Sequence, residues 1–381
     1  MTSSCCGCDL PDRLVLEGVP RVGFHPEPPR CPELTPFPSC LRACLEFLGE
    51  DYGAREIQAH GRSWRLDEMY VYLMGATGAA FRLNWKPGWS RDNVDLALAC
   101  NDPTGPFQRG FEAVGYCCDM VCSIDRNADP APLTRRIMQS IAGGVPVLGF
   151  GVIGPPECCI IVGYEGSGAA LTGWSFFQDL DACKQGADRL PSGQFRKADW
   201  LADTEGLMFI GEKLPPPDRA EVHRQSLYWA LTISRTLTVF PDRHNGLAAY
   251  AAWAQHLGHD EEFATDDLGR LRLMFDVHDD AAGTVAEGRW YAARYLEQTA
   301  EFLPWAAEEL AAAAACYDRE HDLIWQMWGL VGGNGRSDEK ALKLAEPGVR
   351  RDAIRIINEL AELDAKAVAH IDTALSDKQP R

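Results

Sequence analysis

Residues 154–165, Gly-Pro-Pro-Glu-Cys-Cys-Ile-Ile-Val-Gly-Tyr-Glu, form the most informative stretch of the chain. A Pro-Pro turn leads into an apolar strand that opens with Glu157, Cys158 and Cys159. A carboxylate and two thiols are costly to bury without partners, so at the mouth of a strand they point to a pocket. Successive strand residues face opposite sides, which puts Cys159 rather than Cys158 on the face of Glu157. A desolvated glutamate can act as a general base near neutral pH, and a thiol beside it as a nucleophile. The alternative reading makes both cysteines small core residues and Glu157 a cap for a neighbour.

The chain has 14 cysteines, including the adjacent pairs Cys5-Cys6, Cys117-Cys118 and Cys158-Cys159. None has the paired C-x-x-C spacing of a structural zinc site. In a reducing compartment they are expected as thiols. The tail Cys5-Cys6-Gly7-Cys8, with Cys31, suits a soft metal ion or is merely oxidisable. The histidines are scattered and form no H-x-x-x-H pattern. His256 and His259 before Asp260-Glu261-Glu262, and His278 among Asp276, Asp279 and Asp280, read as metal ligands or as solvated helix ends. Phe81, Trp85, Trp89 and Trp174 are aromatics for a pocket wall near Glu157 or for a core. Gly75, Thr77 and Gly78 lack a phosphate-loop pattern and serve a close backbone approach. No dinucleotide and no other cofactor is expected. Glu287, Arg289, Tyr291 and Arg294 lie close on one helix, as surface ion pairs or as a helix that closes a cleft.

Those residues need elements to hold them. The chain has 381 residues, enough for two domains. Residues 1–213 carry most of the Gly, Pro and Cys, with 1–30 read as a flexible Cys-rich tail. Helices are expected over 38–49, 67–74 and 132–142. Strands are expected over 81–85, 145–150, 159–164, 169–176 and 207–210, the last four forming an antiparallel sheet. Leu214-Pro-Pro-Pro217 reads as a linker. Beyond it, 218–240, 246–258, 276–302, 305–328 and 348–376 repeat apolar residues with helical period, which predicts an all-α bundle over 214–381. The fold class is thus α+β followed by all-α. A net charge of −18 argues against nucleic acid and anionic membranes as partners. No apolar run reaches the ~18 residues of a membrane span, and the N-terminus lacks a signal-peptide pattern. A cytoplasmic location is expected.

Four segments, in order, carry a family likeness over residues 30–213. They are Pro36-Phe-Pro-Ser-Cys-Leu-Arg-Ala-Cys-Leu-Glu-Phe-Leu-Gly49, Leu73-Met-Gly-Ala-Thr-Gly-Ala-Ala-Phe81, Glu157-Cys-Cys-Ile-Ile-Val-Gly-Tyr164 and Gly173-Trp-Ser-Phe-Phe-Gln178. Together they resemble the papain-like fold of C39-like peptidases, and are similar to the N-terminal domain of the butirosin-biosynthesis BtrH family. Gly246–Trp253 and Glu287–Arg294 resemble helical segments that accompany that family. Intact members use a Cys at the helix N-terminus, a His and an Asn or Asp. Here those positions hold Pro36, Glu157 and Ser175, so the usual thiol chemistry does not carry over. The resemblance implies acyl transfer or amide-bond processing on a small molecule, with an acyl carrier protein as donor; apart from the resemblance, a homodimer is a further expected partner. On that reading Glu157 is the acid/base, Cys40 or Cys159 the nucleophile, and Ser175 an orienting hydrogen-bond partner. Cys158, Trp174, Thr77, Gly78, Phe81, Trp85, Glu287, Arg289 and Tyr291 would line the substrate. Two alternatives stand beside it: a catalytically lapsed cleft that binds a small ligand, and a thiol protein that handles a metal or metalloid.

Overall fold

The computed structural model describes residues 10–24, 28–59, 61–127, 129–184 and 186–376. From the N-terminus come β1 (Leu14–Val15), α1 (Pro36–Phe47), the paired strands β2 (Ala54–Ala59) and β3 (Arg62–Asp67), and α2 (Glu68–Ala76). Then follow β4 (Asn84–Trp85), α3 (Gly105–Val114), β5 (Tyr116–Cys122), α4 (Ala131–Ala142) and β6 (Val147–Phe150). The first half ends with β7 (Cys158–Glu165), β8 (Ala170–Ser175), β9 (Ala187–Arg189), β10 (Phe195–Ala198) and β11 (Gly206–Lys213). Next are α5 (Arg219–Arg235), β12 (Thr238–Val239), β13 (Arg243–Asn245), α6 (Leu247–Leu257) and α7 (Asp260–Phe263). The C-terminal helices are α8 (Leu268–Phe302), α9 (Ala307–Leu330), α10 (Asp338–Leu344) and α11 (Pro347–Ser376). The chain is α+β, with antiparallel sheets and a helical C-terminal part. Among the described residues no helix is long and apolar enough to cross a membrane.

Contacts divide the chain into two compact units. One comprises residues 1–70 and 115–215, the other 71–114 and 216–381. The linker at 214–217 is where the chain leaves the first unit for the last time. Residues 71–114, read from the sequence as part of the first domain, group with the helices instead. Their physical reason is a shared core: Leu83, Trp85 and Trp89 are buried with Trp253, Phe275, Leu323 and Ile357.

In the first unit the strand order is β5-β11-β6-β7-β8-β10-β9, antiparallel throughout, with β1 also on β7. β7 is buried from Cys158 to Tyr164, which explains why it reads as an unbroken apolar run. Its Cys159 and Ile161 share a core with Ile137 and Ile141 of α4. α1 starts with Pro36 at its first turn, where proline's fixed φ and missing N–H cost nothing. It ends at Gly49, whose φ of +89° is the left-handed stop that favours glycine. Every residue from Pro36 to Leu45 is buried.

The second unit is a bundle around α8 and α9, with β12-β13-β4 as a small sheet. Asp218 and Asp267 cap α5 and α8 by accepting hydrogen bonds from backbone N–H groups in their first turns.

Candidate functional site

The three positions picked out by the family likeness lie on α1, before β7 and at the end of β8, all in the first unit. Pro36 is buried at the first turn of α1. Glu157 is half-exposed and stands just ahead of β7, not inside it. Its N–H donates to Pro155 O at 2.6 Å, and its carbonyl accepts from Gly151 N at 3.4 Å. The strand proper begins one residue later, at Cys158, and the Glu157 carbonyl already pairs with Gly151 in continuation of the β6–β7 register, in which Phe150 stands opposite Cys158.

Ser175 is buried and lies across the sheet from Cys159. Its hydroxyl accepts from Phe177 N at 3.1 Å, and its own N–H donates to Gln178 Oε1 at 2.9 Å. Gln178 Nε2 in turn donates to Gly193 O at 2.8 Å. The serine thus closes a turn at the end of β8. Trp174 beside it is buried, with the Arg21 guanidinium 5.9 Å from its ring.

Four thiols lie buried on α1 and β7. Cys40, Cys44, Cys158 and Cys159 are all at most 1% exposed. Cys40 Sγ donates to Cys158 O at 3.5 Å, and Cys158 Sγ to Cys159 O at 3.8 Å. Cys40, expected one turn into the nucleophile helix, does meet the strand at its start, but beside Cys158. Burial pushes the Cys158 thiol well up, and the hydrogen-bonded Cys40 thiol adds to this. Burial also raises Cys159 and Cys44 well above an ordinary thiol. A thiol so raised is a poor nucleophile at neutral pH.

Sequence reasoning missed a charged set beside the start of α1. Glu33 Oε2 accepts from Arg42 Nε at 2.8 Å and from Ser39 Oγ at 3.2 Å, all three residues being buried. Burial pushes the Glu33 carboxyl up, with Arg42 beside it pulling the other way. Burial, and next the Glu33 carboxylate, push the nearby Cys31 thiol up to about 12. The signal was present: Arg42 sits amid an otherwise buried run of α1 and needs a counter-charge there.

The remaining expected substrate contacts fall in the second unit, and several have structural work there. Thr77 Oγ1 donates to Leu73 O at 2.7 Å and accepts from Ala79 N at 3.2 Å, closing the end of α2. Gly78 has φ +83°, and a Cβ there would lie 2.3 Å from Ile233. Phe81 is buried against Tyr317 and Tyr295. Trp85 stacks on Trp253 and donates from Nε1 to His256 Nδ1 at 3.1 Å. Tyr291 is buried edge-on to Trp290, and Glu287 is half-exposed on the same helix. Arg289, expected near the surface, is fully buried and pairs with Asp364 and Glu320. Neighbouring i, i+4 positions alone do not reveal such partners, because they come from other helices.

Among the described residues no group of three or more His, Cys, Asp or Glu is placed to hold a metal ion. His259 pairs with Glu262, and Asp279 and Asp280 with Arg336. Cys5, Cys6 and Cys8 lie outside the described residues. Set against family models and curated proteins, the chain matches none.

Proposed function

We propose that the first unit is a papain-like, C39-like cleft that binds a small molecule and has lost thiol catalysis. The burial of Cys40 and Cys159, both 0% exposed, carries this reading. A nucleophile must reach its substrate, and both sulfurs are sealed from solvent. Pro36, at the position the nucleophile would occupy, offers no replacement. The papain-like assignment is supported by a buried helix packed on a central antiparallel strand, and by Ser175 standing across from Cys159. Glu157 is the ionisable group left at the mouth of that strand.

A second reading, acyl transfer from a carrier-protein thioester to an amine, is favoured by the half-exposure of Glu157. There the carboxylate takes the proton of the attacking amine, the new C–N bond forms, and the carrier thiol leaves with the proton. No protein thiol is needed. The partner would be an acyl carrier protein.

Site-resolved alkylation by mass spectrometry, on the wild type and on Glu157→Gln, tests the loss of thiol catalysis. The expected result is slow labelling of Cys40, Cys158 and Cys159 in both proteins. One hyper-reactive thiol among them, quenched by Glu157→Gln, would restore the nucleophile hypothesis. A thermal-shift screen of amines and acyl thioesters separates the two readings: binding without turnover favours the lapsed cleft, and turnover lost in Glu157→Gln favours the transferase.

A further inference from the structure

The second unit buries a polar cluster around one phenol. Tyr250 of α6, Arg289 of α8, Tyr317 and Glu320 of α9, and Asp364 of α11 are each at most 2% exposed. The Tyr250 oxygen has three neighbours within hydrogen-bond distance: Asp364 Oδ2 at 2.8 Å, Glu320 Oε2 at 2.9 Å and Arg289 Nη2 at 3.1 Å. A phenol has one hydrogen to donate and two lone pairs to accept with. The guanidinium can only donate, so it uses one lone pair. The single phenolic hydrogen serves one carboxyl group and not both. With both carboxyl groups ionised, one of them would face the phenol oxygen lone pair against lone pair. All three contacts are satisfied together only when one carboxyl group carries a proton and donates it to Tyr250.

Geometry selects which. Arg289 Nη2 donates to Asp364 Oδ2 at 2.6 Å, whereas Glu320 is 3.6 Å from Arg289 Nε. Asp364 is therefore the ion-pair partner of the guanidinium. Arg289 also donates from Nη1 to Ala80 O at 2.8 Å, while its Nε makes no hydrogen bond. One cation balances one carboxylate, and a second buried negative charge has nothing to offset it.

We infer that Glu320, Tyr250 and Asp364 form a buried proton-binding site, in which the neutral acid Glu320 donates to Tyr250 and Tyr250 donates to Asp364. The ionisable groups around Glu320 are Tyr250 from α6, Arg289 from α8, Tyr317 and Cys316 from its own helix, and Asp364 from α11. Arg289 is the cation of this set. Burial, and next the charge of Asp364, push the Glu320 carboxyl well up. The proton is thus held more tightly in the folded chain than in the unfolded one. Stability from this site is complete below the ordinary glutamate pKa of about 4 and declines as pH rises toward the folded value.

Infrared spectroscopy of the full chain at neutral pH tests the site, with and without carbon-13-labelled glutamate. The expected result is a protonated carboxylic carbonyl band that shifts with the glutamate label and is lost in Glu320→Gln. That variant keeps a donor toward Tyr250, so its Tm should match or exceed the wild type at neutral pH. The gap should widen as pH rises from about 4. Absence of a label-sensitive acid band in the folded wild type overturns the inference without any variant. A band that survives Glu320→Gln unchanged, or that shifts only with labelled aspartate, overturns the assignment to Glu320.

Discussion

At the scale of single residues, burial decides what the cysteines can do. Cys117 and Cys122 are exposed, whereas Cys40, Cys44, Cys158 and Cys159 are sealed in the first unit. Native alkylation should modify Cys117 and Cys122 first and reach the sealed four only under denaturant. Early labelling of Cys40 would show that this interior opens without unfolding. The Glu33–Arg42 pair makes a second case. Removing one partner of a buried pair strands the other charge, at a cost of about 3–5 kcal/mol. Arg42→Met should lose roughly that much in denaturant unfolding, and adding Glu33→Gln should recover part of it. If Arg42→Met costs under about 1 kcal/mol, Glu33 is taking up a proton to escape the penalty.

At the scale of elements, backbone proximity holds the strand that presents Glu157. Gly173 of β8 pairs with Ile161 of β7, and a Cβ on it would lie 1.9 Å from Ile160 O. Backbone cannot yield as a flexible side chain does, so Gly173→Ala must spread the β7–β8 pair. A loss of about 1–3 kcal/mol is expected, read as a lower denaturant midpoint with weakened amide protection across both strands. Unchanged protection would mean that the pair absorbs the methyl by sliding. Most elements were legible in the sequence: the expected helix 132–142 appears as Ala131–Ala142, and 348–376 as Pro347–Ser376. The exceptions are instructive. β2 and β3 alternate too weakly to read, since their outward residues include Arg62 and Arg65 and few apolar partners. The expected strand 81–85 contracts to Asn84–Trp85 because Ala79–Phe81 winds into a 3₁₀ turn after Gly78.

At the scale of the whole chain, the excursion 71–114 sets what can be separated. A fragment ending at residue 213 would carry Leu83, Trp85 and Trp89 without the helices that bury them. It should be aggregation-prone and show no cooperative unfolding. A soluble fragment 1–213 with a sharp transition would mean that 71–114 folds without the bundle. Two buried histidines of the second unit contribute to acid stability. Burial, and next Arg219, lower His223 to about 3, and burial lowers His278 to about 4. Both values lie below the unfolded pKa of about 6.5, so the neutral forms are favoured by folding. Their stability is present above that pH and is lost as pH falls toward 4 and 3, by about 1.4 kcal/mol per pH unit for each group. Chemical denaturation at successive pH values should show this acid slope, reduced in His278→Gln. A slope unaltered in that variant would place the proton uptake elsewhere.

The sequence by itself determined the fold class, the helices of the second half and the strands around Glu157, because apolar periodicity and Gly/Pro punctuation are local signals. It also singled out Arg289, though not its setting. Only the tertiary structure decided that Cys40 meets Cys158, that Glu33 answers Arg42, and that Tyr250, Glu320 and Asp364 close around Arg289. Each of those contacts joins residues whose need for a partner is visible in one sequence, while the partner's identity depends on how elements pack. Burial then sets the chemistry, since the same thiol or carboxyl is reactive in water and inert, or neutral, where water is excluded.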